Sequence, residues 1–527
     1  MNMSKKRRLV LAGVVGLSAF LGIAVLAAAG LMWMMDWSMS SQTSTSGLYT
    51  KPPEPPNLLL LIADDVGIDK INIYADDADL SYRESAEALP LTPTIDSLAS
   101  AGVRFTDAWA NPKCSPTRAA LYSGRYGFRT GIGNALGPPD LPDMSPDVVT
   151  TLAEMLTEEG YTSAMVGKWH LGMGEPPADW ADDDAWTDHL DELTTTELHP
   201  QEHGWHSFQG TLGGELDSEG SVGYTDWIRI YSHGHRAKAI EESTYATEQA
   251  VEDGLGWVER QEGLWMLTMA FHAPHSPLEV PGADCSWSGT DDLETDAEVY
   301  RAMLECLDIN IAALLSGLDD LGALDNTLIF FIGDNGTDES VAEDVFADGR
   351  GKGTLYESGV RVPLIVADGK TWNQQQQGLS VRIAPRDAVI QDPGAEIADL
   401  VHVLDIYATI ADVASADGSN GVDSVSLMPF LQDTDGTVRD ALLAEMFNPN
   451  NGTGELALRT ETWKLMFDVN STGSSRCREN FELYNLAYDR FEQADLADSR
   501  PKTVERLLLK LDQISTGSTW FDVDDCQ

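Results

Sequence analysis

Short, unbroken apolar runs that stop abruptly at polar residues set the strongest limit on this fold. Asn57-Leu58-Leu59-Leu60-Leu61-Ile62 ends at Ala63-Asp64-Asp65, and Thr327-Leu328-Ile329-Phe330-Phe331-Ile332 ends at Gly333-Asp334-Asn335-Gly336. Residues 162–166 lead into Gly167-Lys168-Trp169-His170, residues 264–270 lead into Phe271-His272-Ala273-Pro274-His275, and residues 361–366 begin a fifth such run. Runs this short cannot span a bilayer, and their lack of alternation marks strands buried on both faces, as in parallel sheets. Helical spacing separates them, at 92–101, 150–160 and 297–318. Strands alternating with helices predict an α/β protein with a large doubly wound, mostly parallel sheet. Such sheets bind ligands beyond the C-terminal ends of their strands, where these polar residues stand.

A second constraint is Cys114-Ser115-Pro116-Thr117-Arg118, running on to Ser123-Gly124-Arg125. Pro116 suits the first turn of a helix, so Cys114 falls at or just before a helix N-terminus. Unpaired backbone donors there attract anions, and Arg118 one turn on adds a fixed charge. A buried structural cysteine is the competing reading.

The net charge of −51, from 85 acidic and 34 basic residues, excludes a nucleic-acid partner, which needs basic patches. Residues 1–8 hold Lys5-Lys6-Arg7-Arg8, a basic stub expected on the cytoplasmic side. The apolar run 9–35 behind it is long enough to be a transmembrane signal anchor. Ala27-Ala28-Ala29 offers a cleavage site, so a long signal peptide is the alternative. Residues 36–56, rich in Ser, Thr and then Pro, read as a linker. The expected location is therefore outside the cytoplasm, anchored to the inner membrane and facing the periplasm, or free there after cleavage. Residues 57–420 would form the catalytic domain and 421–527 a smaller C-terminal α+β domain. There, residues 455–468 and 477–486 look like antiparallel strands and 503–514 like a closing helix. Five cysteines in an oxidising compartment leave one unpaired. If Cys114 is that one, Cys285–Cys306 with Cys477–Cys526 is the most local of three possible pairings.

Residues 173–240 show no clear period and read as long loops over the site. His203, His206, His233 and His235 lie there, with surface or packing roles as the default.

Asp64, Asp65, Asp334 and Asn335 all follow buried runs and can converge on one sheet edge. Four oxygen ligands without supporting His or Cys suit a hard cation, Ca²⁺ or Mg²⁺, better than zinc. Lys168, His170, His275 and Lys352, the last within Gly349-Arg350-Gly351-Lys352-Gly353-Thr354, would add a cationic pocket with Arg118. Such a pocket fits a sulfate or phosphate ester, whose transferring group needs charge neutralisation and whose leaving oxygen needs a proton.

These stretches, with Gly351-Lys352-Gly353-Thr354 to Arg361-Val362-Pro363, occur in an order that resembles the type I sulfatases of the alkaline-phosphatase-like superfamily. The resemblance covers roughly residues 56 to 500. It implies that a formylglycine-generating enzyme oxidises Cys114 to formylglycine, whose hydrate attacks sulfur and later expels sulfate by reverting to the aldehyde. It also implies one Ca²⁺ ion held by Asp64, Asp65, Asp334 and Asn335 and touching the residue at Cys114. Arg118 would hold the hydrate, and Lys168 and Lys352 would neutralise sulfate. His275 with Lys352 would protonate the leaving oxygen, and His170 would assist sulfate release. His272 is a rival acid, but Pro274-His275-Ser276-Pro277-Leu278 matches the family's context better. Thr117 and Ser358 depart from the usual Ser and Gly. His203-Gly204-Trp205-His206-Ser207-Phe208-Gln209-Gly210 looks most like the arylsulfatase B branch, where sulfated amino sugars are common substrates. The expected activity is hydrolysis of an aryl sulfate or sulfated carbohydrate. The rivals are a phosphate or phosphonate ester hydrolase of the same superfamily and a non-catalytic protein that binds sulfated glycans.

Overall fold

Asn57–Ala63 forms a strand, β1, whose seven side chains are all buried, because helices cover both of its faces. Leu58, Leu60 and Ile62 point into one apolar layer, while Leu59, Leu61 and Ala63 point into the other. Burying a side chain on each face favours the continuous apolar run that a one-sided strand would not show. The computed structural model describes residues 55–74, 89–137, 149–172, 199–216, 222–234, 236–282, 285, 287, 293–342, 349–379, 388–433, 438–448, 452–472, 475–516 and 524–525. Among them no helix is long and apolar enough to cross a membrane. The run 9–35 and the basic stub lie outside the described residues.

The strands that follow are β2 (Gly102–Phe105), β3 (Ala108–Trp109), β4 (Thr162–Lys168), β5 (Ser207–Thr211), β6 (Trp227–His233) and β7 (Ala237–Glu242). Next come β8 (Trp265–Ala270), β9 (Thr327–Gly333), β10 (Leu364–Asp368), β11 (Ala395–Ile397) and β12 (Val401–His402). Ten of them form one sheet in the order β11-β2-β10-β9-β1-β8-β4-β5-β6-β7, and β12 pairs with β3. The centre, β9-β1-β8-β4-β5, is parallel, as expected of a doubly wound sheet. Antiparallel pairs extend it on both sides, β10 beside β9 and β6 and β7 beyond β5. One layer holds the helices Cys114–Ser123, Leu152–Glu158 and Asp405–Ala414. The other holds Pro93–Ser100, Ala246–Val258 and Asp296–Asp320.

Two stretches differ from expectation. Part of the segment read as loops, 173–240, carries β5, β6 and β7. The outer two, of which β7 is the sheet edge, have mixed burial, so neither a continuous apolar run nor a clean alternation marks them. The single strand expected at 455–468 is two strands of a second sheet. That sheet is formed by β13 (Leu442–Asn448), β14 (Thr453–Arg459), β15 (Trp463–Thr472), β16 (Ser475–Asn485) and β17 (Asp524–Asp525). The polar Thr460-Glu461-Thr462 makes the turn, and the Thr460 amide donates to the Trp463 carbonyl at 2.8 Å. The closing helix, Pro501–Ile514, lies where the sequence places it.

The second sheet packs directly onto the first body, and residues Lys51–Gln527 form one compact unit. Leu443, Leu458 and Phe467 meet Ala120, Tyr126 and Leu404 on one face. Leu442, Ala457 and Met466 meet Trp109, Leu355 and Val360 on the other. Cys285 and Cys306 form a disulfide, Cys477 is disulfide-bonded, and Cys526 lies outside the described residues. Cys114 is the free cysteine among those described.

Glu445 on β13 is buried beneath the turn at Gly127–Thr130, where Oε1 accepts from the Phe128 amide at 3.0 Å and Oε2 has no partner. Burial, with the nearby Asp423 charge and against the Phe128 hydrogen bond, pushes its carboxyl up to about 8. An acid raised on folding stabilises fully below its unfolded pKa and loses that contribution as pH rises through the folded one. Glu445→Gln, which keeps the neutral shape, should therefore match the native protein near pH 4. By pH 9 it should exceed it by on the order of 2 to 4 kcal/mol in urea unfolding.

Candidate active site

The register of the central strands brings the polar run endings to one edge. Ala63 pairs with Gly333, so Asp64-Asp65 and Asp334-Asn335 leave adjacent strands side by side. Ala270 pairs with both Ile62 and Gly167, which sets Lys168 and the 271–275 turn beside them. Asp65 has φ +63° and His170 φ +55°, left-handed conformations that few non-glycine residues hold.

Cys114 is the first residue of its helix, with Pro116 in the first turn, and all ten residues to Ser123 are buried. Gly124, φ +64°, caps the helix in the left-handed conformation, and its amide donates to the Ala120 carbonyl. Four residues apart, Cys114 and Arg118 share a helix face. Arg118 is fully buried and reaches across the sheet edge. Its Nε and one Nη donate to Asp334 Oδ2 at 3.1 and 2.8 Å, the same Nη to Asp64 Oδ2 at 3.1 Å, and the other to the Lys168 carbonyl at 2.8 Å. Lys168 Nζ pairs with Asp64 Oδ2 at 2.5 Å without hydrogen-bond alignment. Lys352 Nζ lies 2.7 and 2.8 Å from the two oxygens of Asp65, and Asn335 Nδ2 donates to Asp65 Oδ1 at 2.7 Å.

Burial opposes ionisation of Asp64, but Lys168, His275, Arg118 and Lys352 together hold its carboxyl well below the usual range. Asp334 is pushed up by its burial and by the Asp64 charge that shares Arg118 with it. Lys352 is raised by Asp65 against the effect of burial. Two buried oxygens, Asp64 Oδ1 and Asn335 Oδ1, have no partner. Ligand atoms of Asp64, Cys114 and Asp334, and separately of Asp64, Asp65 and His275, lie within 4.8 Å of one another. Buried oxygens left without donors beside clustered carboxylates fit a hard cation.

Residues 56–416 match the sequence profile described as Sulfatase. The chain belongs to the sulfatase family. It is 24% identical to arylsulfatase J of Mus musculus over 95% of this chain and 83% of that one. It is 26% identical to arylsulfatase A of Bos taurus over 89% and 88%. It is also 30% identical to N-acetylgalactosamine-6-sulfatase of Homo sapiens, over 59% of this chain and 57% of that protein. Among solved structures, Ps i-CgsB in complex with k-i-k-neocarrahexaose shares the fold with TM-score 0.66 at 22% identity, covering 90% of this chain and 96% of that one. The sulfatase is thus an enzyme of the sulfuric ester hydrolase class, on an alkaline-phosphatase-like fold.

The other expected residues of the sulfatase fall as follows. His275 Nε2 lies 3.7 Å from Asp65 Oδ2, while Nδ1 bonds the Ser276 carbonyl at 2.7 Å. His272, the rival acid, is tied to Thr211 Oγ1 at 2.7 Å, and burial, reinforced by Lys168, drives its pKa well down. His170 donates Nε2–H to the Leu136 carbonyl at 2.9 Å, its Nδ1 has no partner, and burial with the Lys168 charge keeps it neutral. Buried His203 packs against Trp169, and exposed His206 accepts from the Ser163 amide. His233 is exposed, and His235 lies outside the described residues. Thr117 Oγ1 accepts the Asn111 amide and donates to the Asn111 carbonyl, and Ser358 Oγ donates to the Arg350 carbonyl.

Sequence reasoning missed the groups that brace this constellation. Tyr300 donates to the Asp65 carbonyl and Tyr224 to the His275 carbonyl, each at 2.8 Å. Neither tyrosine has a local signal, because each contact spans long sequence separation. Removing Arg118 leaves two buried carboxylates short of a partner. Arg118→Met should cost about 3 to 5 kcal/mol of stability, read as a lower urea midpoint, although Met preserves most of the buried length.

Proposed function

We propose that this sulfatase removes sulfate from a sulfated carbohydrate, with Cys114 matured to formylglycine and Ca²⁺ held by Asp64, Asp65, Asp334 and Asn335. The observation that carries this reading is the convergence of Cys114, four candidate oxygen ligands and five cationic or titratable side chains on one sheet edge. The Cys114 sulfur occupies the place where the hydrate oxygens of formylglycine would stand. Burial pushes the unmodified thiol above its ordinary pKa, against Lys168 and Lys352, so a thiolate nucleophile is disfavoured. Formylglycine supplies an oxygen nucleophile that regenerates itself by elimination. Bound Ca²⁺ supplies fixed positive charge for a sulfate oxygen.

The remaining work falls to this chain's side chains. Asp64, Asp65 and Asp334 face Arg118, Lys168 and Lys352, so three carboxylates balance three fixed cations and a divalent ion makes the site net positive. That local excess draws in an anionic ester against the charge of the whole molecule. Lys168 and Lys352 neutralise the transferring group. His275, oriented through Nδ1 by Ser276, presents Nε2 to the leaving oxygen as proton donor. Neutral His170, held by Leu136, can take a proton at Nδ1 as sulfate departs.

A sulfated sugar is supported by fold neighbours, one solved with k-i-k-neocarrahexaose and another with its substrate D-glucosamine-2-N,6-O-disulfate. A phosphonate monoester hydrolase of Agrobacterium radiobacter shares the fold with TM-score 0.55 at 20% identity and keeps the phosphate reading as the rival. The anchor-like run 9–35, with the disulfide Cys285–Cys306, supports a membrane-tethered enzyme in an oxidising space such as the periplasm, where a maturing enzyme must also act on it.

Protein co-expressed with a formylglycine-generating enzyme should show an aldehyde in the Cys114 peptide by mass spectrometry. It should hydrolyse 4-nitrophenyl sulfate, with Cys114→Ala slower by about a thousandfold or more. A large preference for 4-nitrophenyl phosphate, or only unmodified thiol, would overturn the reading. Chelation should lower thermal stability, and Ca²⁺ at about 100 times its dissociation constant should return about 2.7 kcal/mol. Asp64→Asn should abolish most of that shift.

A further inference from the structure

His275 is assigned the proton that the leaving oxygen takes, yet the hydrogen bond on its imidazole comes from within its own turn. Nδ1 donates to the carbonyl of the neighbouring Ser276 at 2.7 Å, and Ser276 is exposed. The ring therefore points wherever the turn places it. Anchors from outside the turn hold each side of it. Ahead of His275, the Asp64 amide donates to the Ala273 carbonyl at 3.3 Å. At His275 and beyond stands Tyr224, which no part of the proposed chemistry uses.

Tyr224 is fully buried, with its ring stacked on Tyr245 at a centroid distance of 5.1 Å. Its hydroxyl donates to the His275 carbonyl at 2.8 Å, and its amide donates to Glu279 Oε2 at 2.7 Å. One residue thus grips the turn at both ends. Thr225 Oγ1 donates to the other oxygen of Glu279. The gripping segment is itself tied down. The Val222 and Gly223 amides donate to the Asp226 carbonyl at 2.7 and 3.3 Å, and the Ala246 amide, which opens the helix Ala246–Val258, donates to the Tyr224 carbonyl at 2.9 Å. Gly223 packs so closely that a Cβ there would stand 2.3 Å from Glu279 Oε2. Burial, with Tyr245 and the Asp64 charge behind it, raises the Tyr224 phenol well above its ordinary pKa, so the hydroxyl stays a donor.

We infer that Tyr224 and Glu279 are positioning residues that aim the His275 proton at the leaving oxygen, and so set how well the enzyme cleaves esters of weakly acidic alcohols. The inference rests on the proton-donor role proposed for His275. In that step the bond between sulfur and the alcohol oxygen breaks as sulfur bonds the incoming oxygen. The departing oxygen keeps the electron pair and takes the proton from Nε2, and the ring, still holding its Nδ1 proton on Ser276, returns to neutral. A sugar alkoxide needs that proton, whereas a nitrophenolate departs without it. Proton transfer requires near-contact geometry, and a displacement of about 1 Å can cost on the order of a hundredfold. An error of aim therefore falls harder on the weakly acidic alcohol than on the activated one.

The test compares kcat/KM of matured protein on 4-nitrophenyl sulfate and on 4-methoxyphenyl sulfate, which are similar in size but release phenols of very different acidity. Tyr224→Phe keeps the ring stack and removes the hydroxyl. It should raise the ratio of the first ester to the second by about tenfold or more, with the loss in kcat rather than KM. Gly223→Ala pushes on the end of a flexible side chain rather than on backbone, so it should fold and should raise the same ratio less. His275→Ala, which removes the donor, sets the upper limit. A Tyr224→Phe protein that loses turnover equally on both esters, or on neither, while His275→Ala still raises the ratio, overturns the inference alone. A His275→Ala protein with an unchanged ratio overturns the donor role and the inference with it. Release of sulfate from neither ester by the native matured protein overturns the proposed function as well.

Discussion

Arg118 is the constraint on which the rest of the site depends. Its guanidinium joins carboxylates from two neighbouring parallel strands and the backbone end of a third, with no solvent exposure. Adjacent parallel strands naturally deliver their C-terminal residues to one edge, but two buried carboxylates there repel each other. A single guanidinium with planar, forked donors can bridge both, where an ammonium would serve as one point charge. Because Arg118 comes from the helix that begins at Cys114, the same interaction fixes that helix end over the strand ends. The positions of Cys114, the proposed nucleophile, and of the proposed metal ligands Asp64 and Asp334 are therefore set by one side chain.

The chain's charge explains why this cationic edge is needed. A molecule carrying −51 repels anions at long range, and salt screens that field over roughly a Debye length, about 8 to 10 Å at physiological strength. What remains is local. Lys168, Lys352 and Arg118 are each matched by a carboxylate, so this edge carries no large excess of charge from its own side chains. Orphan oxygens on Asp64 and Asn335 are the complement of that balance: they leave a place for positive charge that protein donors do not fill.

Much of this was legible in the sequence because parallel strands buried on both faces must be written as unbroken apolar runs, and their endings are then conspicuous. Asp64, Asp65, Asp334, Asn335 and Lys168 follow from that single rule, and Cys114 from the proline behind it. Lys352 and His275 stood out by a glycine-rich loop and by the end of the 264–270 run, while the choice of His275 over His272 needed the family resemblance. The outer strands β6 and β7 were hidden by half-exposed residues with mixed burial. Tyr224 and Tyr300 were hidden because a buried hydroxyl meeting a distant backbone carbonyl leaves no local pattern. The turn at Thr460-Glu461-Thr462 was overlooked since its polar residues interrupt two short strands without Gly or Pro.

The second sheet has a role beyond completing the core. Arg459 on β14 reaches Asp107 at 2.6 Å and Glu357 at 3.2 Å, and Lys464 on β15 reaches Glu357 at 3.2 Å and Glu492 at 2.7 Å, all buried. Burial opposes the charge on Glu357, yet Arg459 and Lys464 hold its carboxyl below the ordinary range. Glu357 begins the turn that closes the glycine-rich loop, where Ser358 binds the Arg350 carbonyl and Gly336 approaches the Ser358 carbonyl too closely for any Cβ. The Lys352 amide is tied back to the Thr337 carbonyl in the same loop. A network whose members are buried and mutually paired has few alternative arrangements, since breaking one pair leaves an uncompensated charge. The antiparallel sheet therefore sets, through Glu357, the backbone that places Lys352 against Asp65. Its position is part of the site's geometry although none of its residues touches the candidate metal ligands.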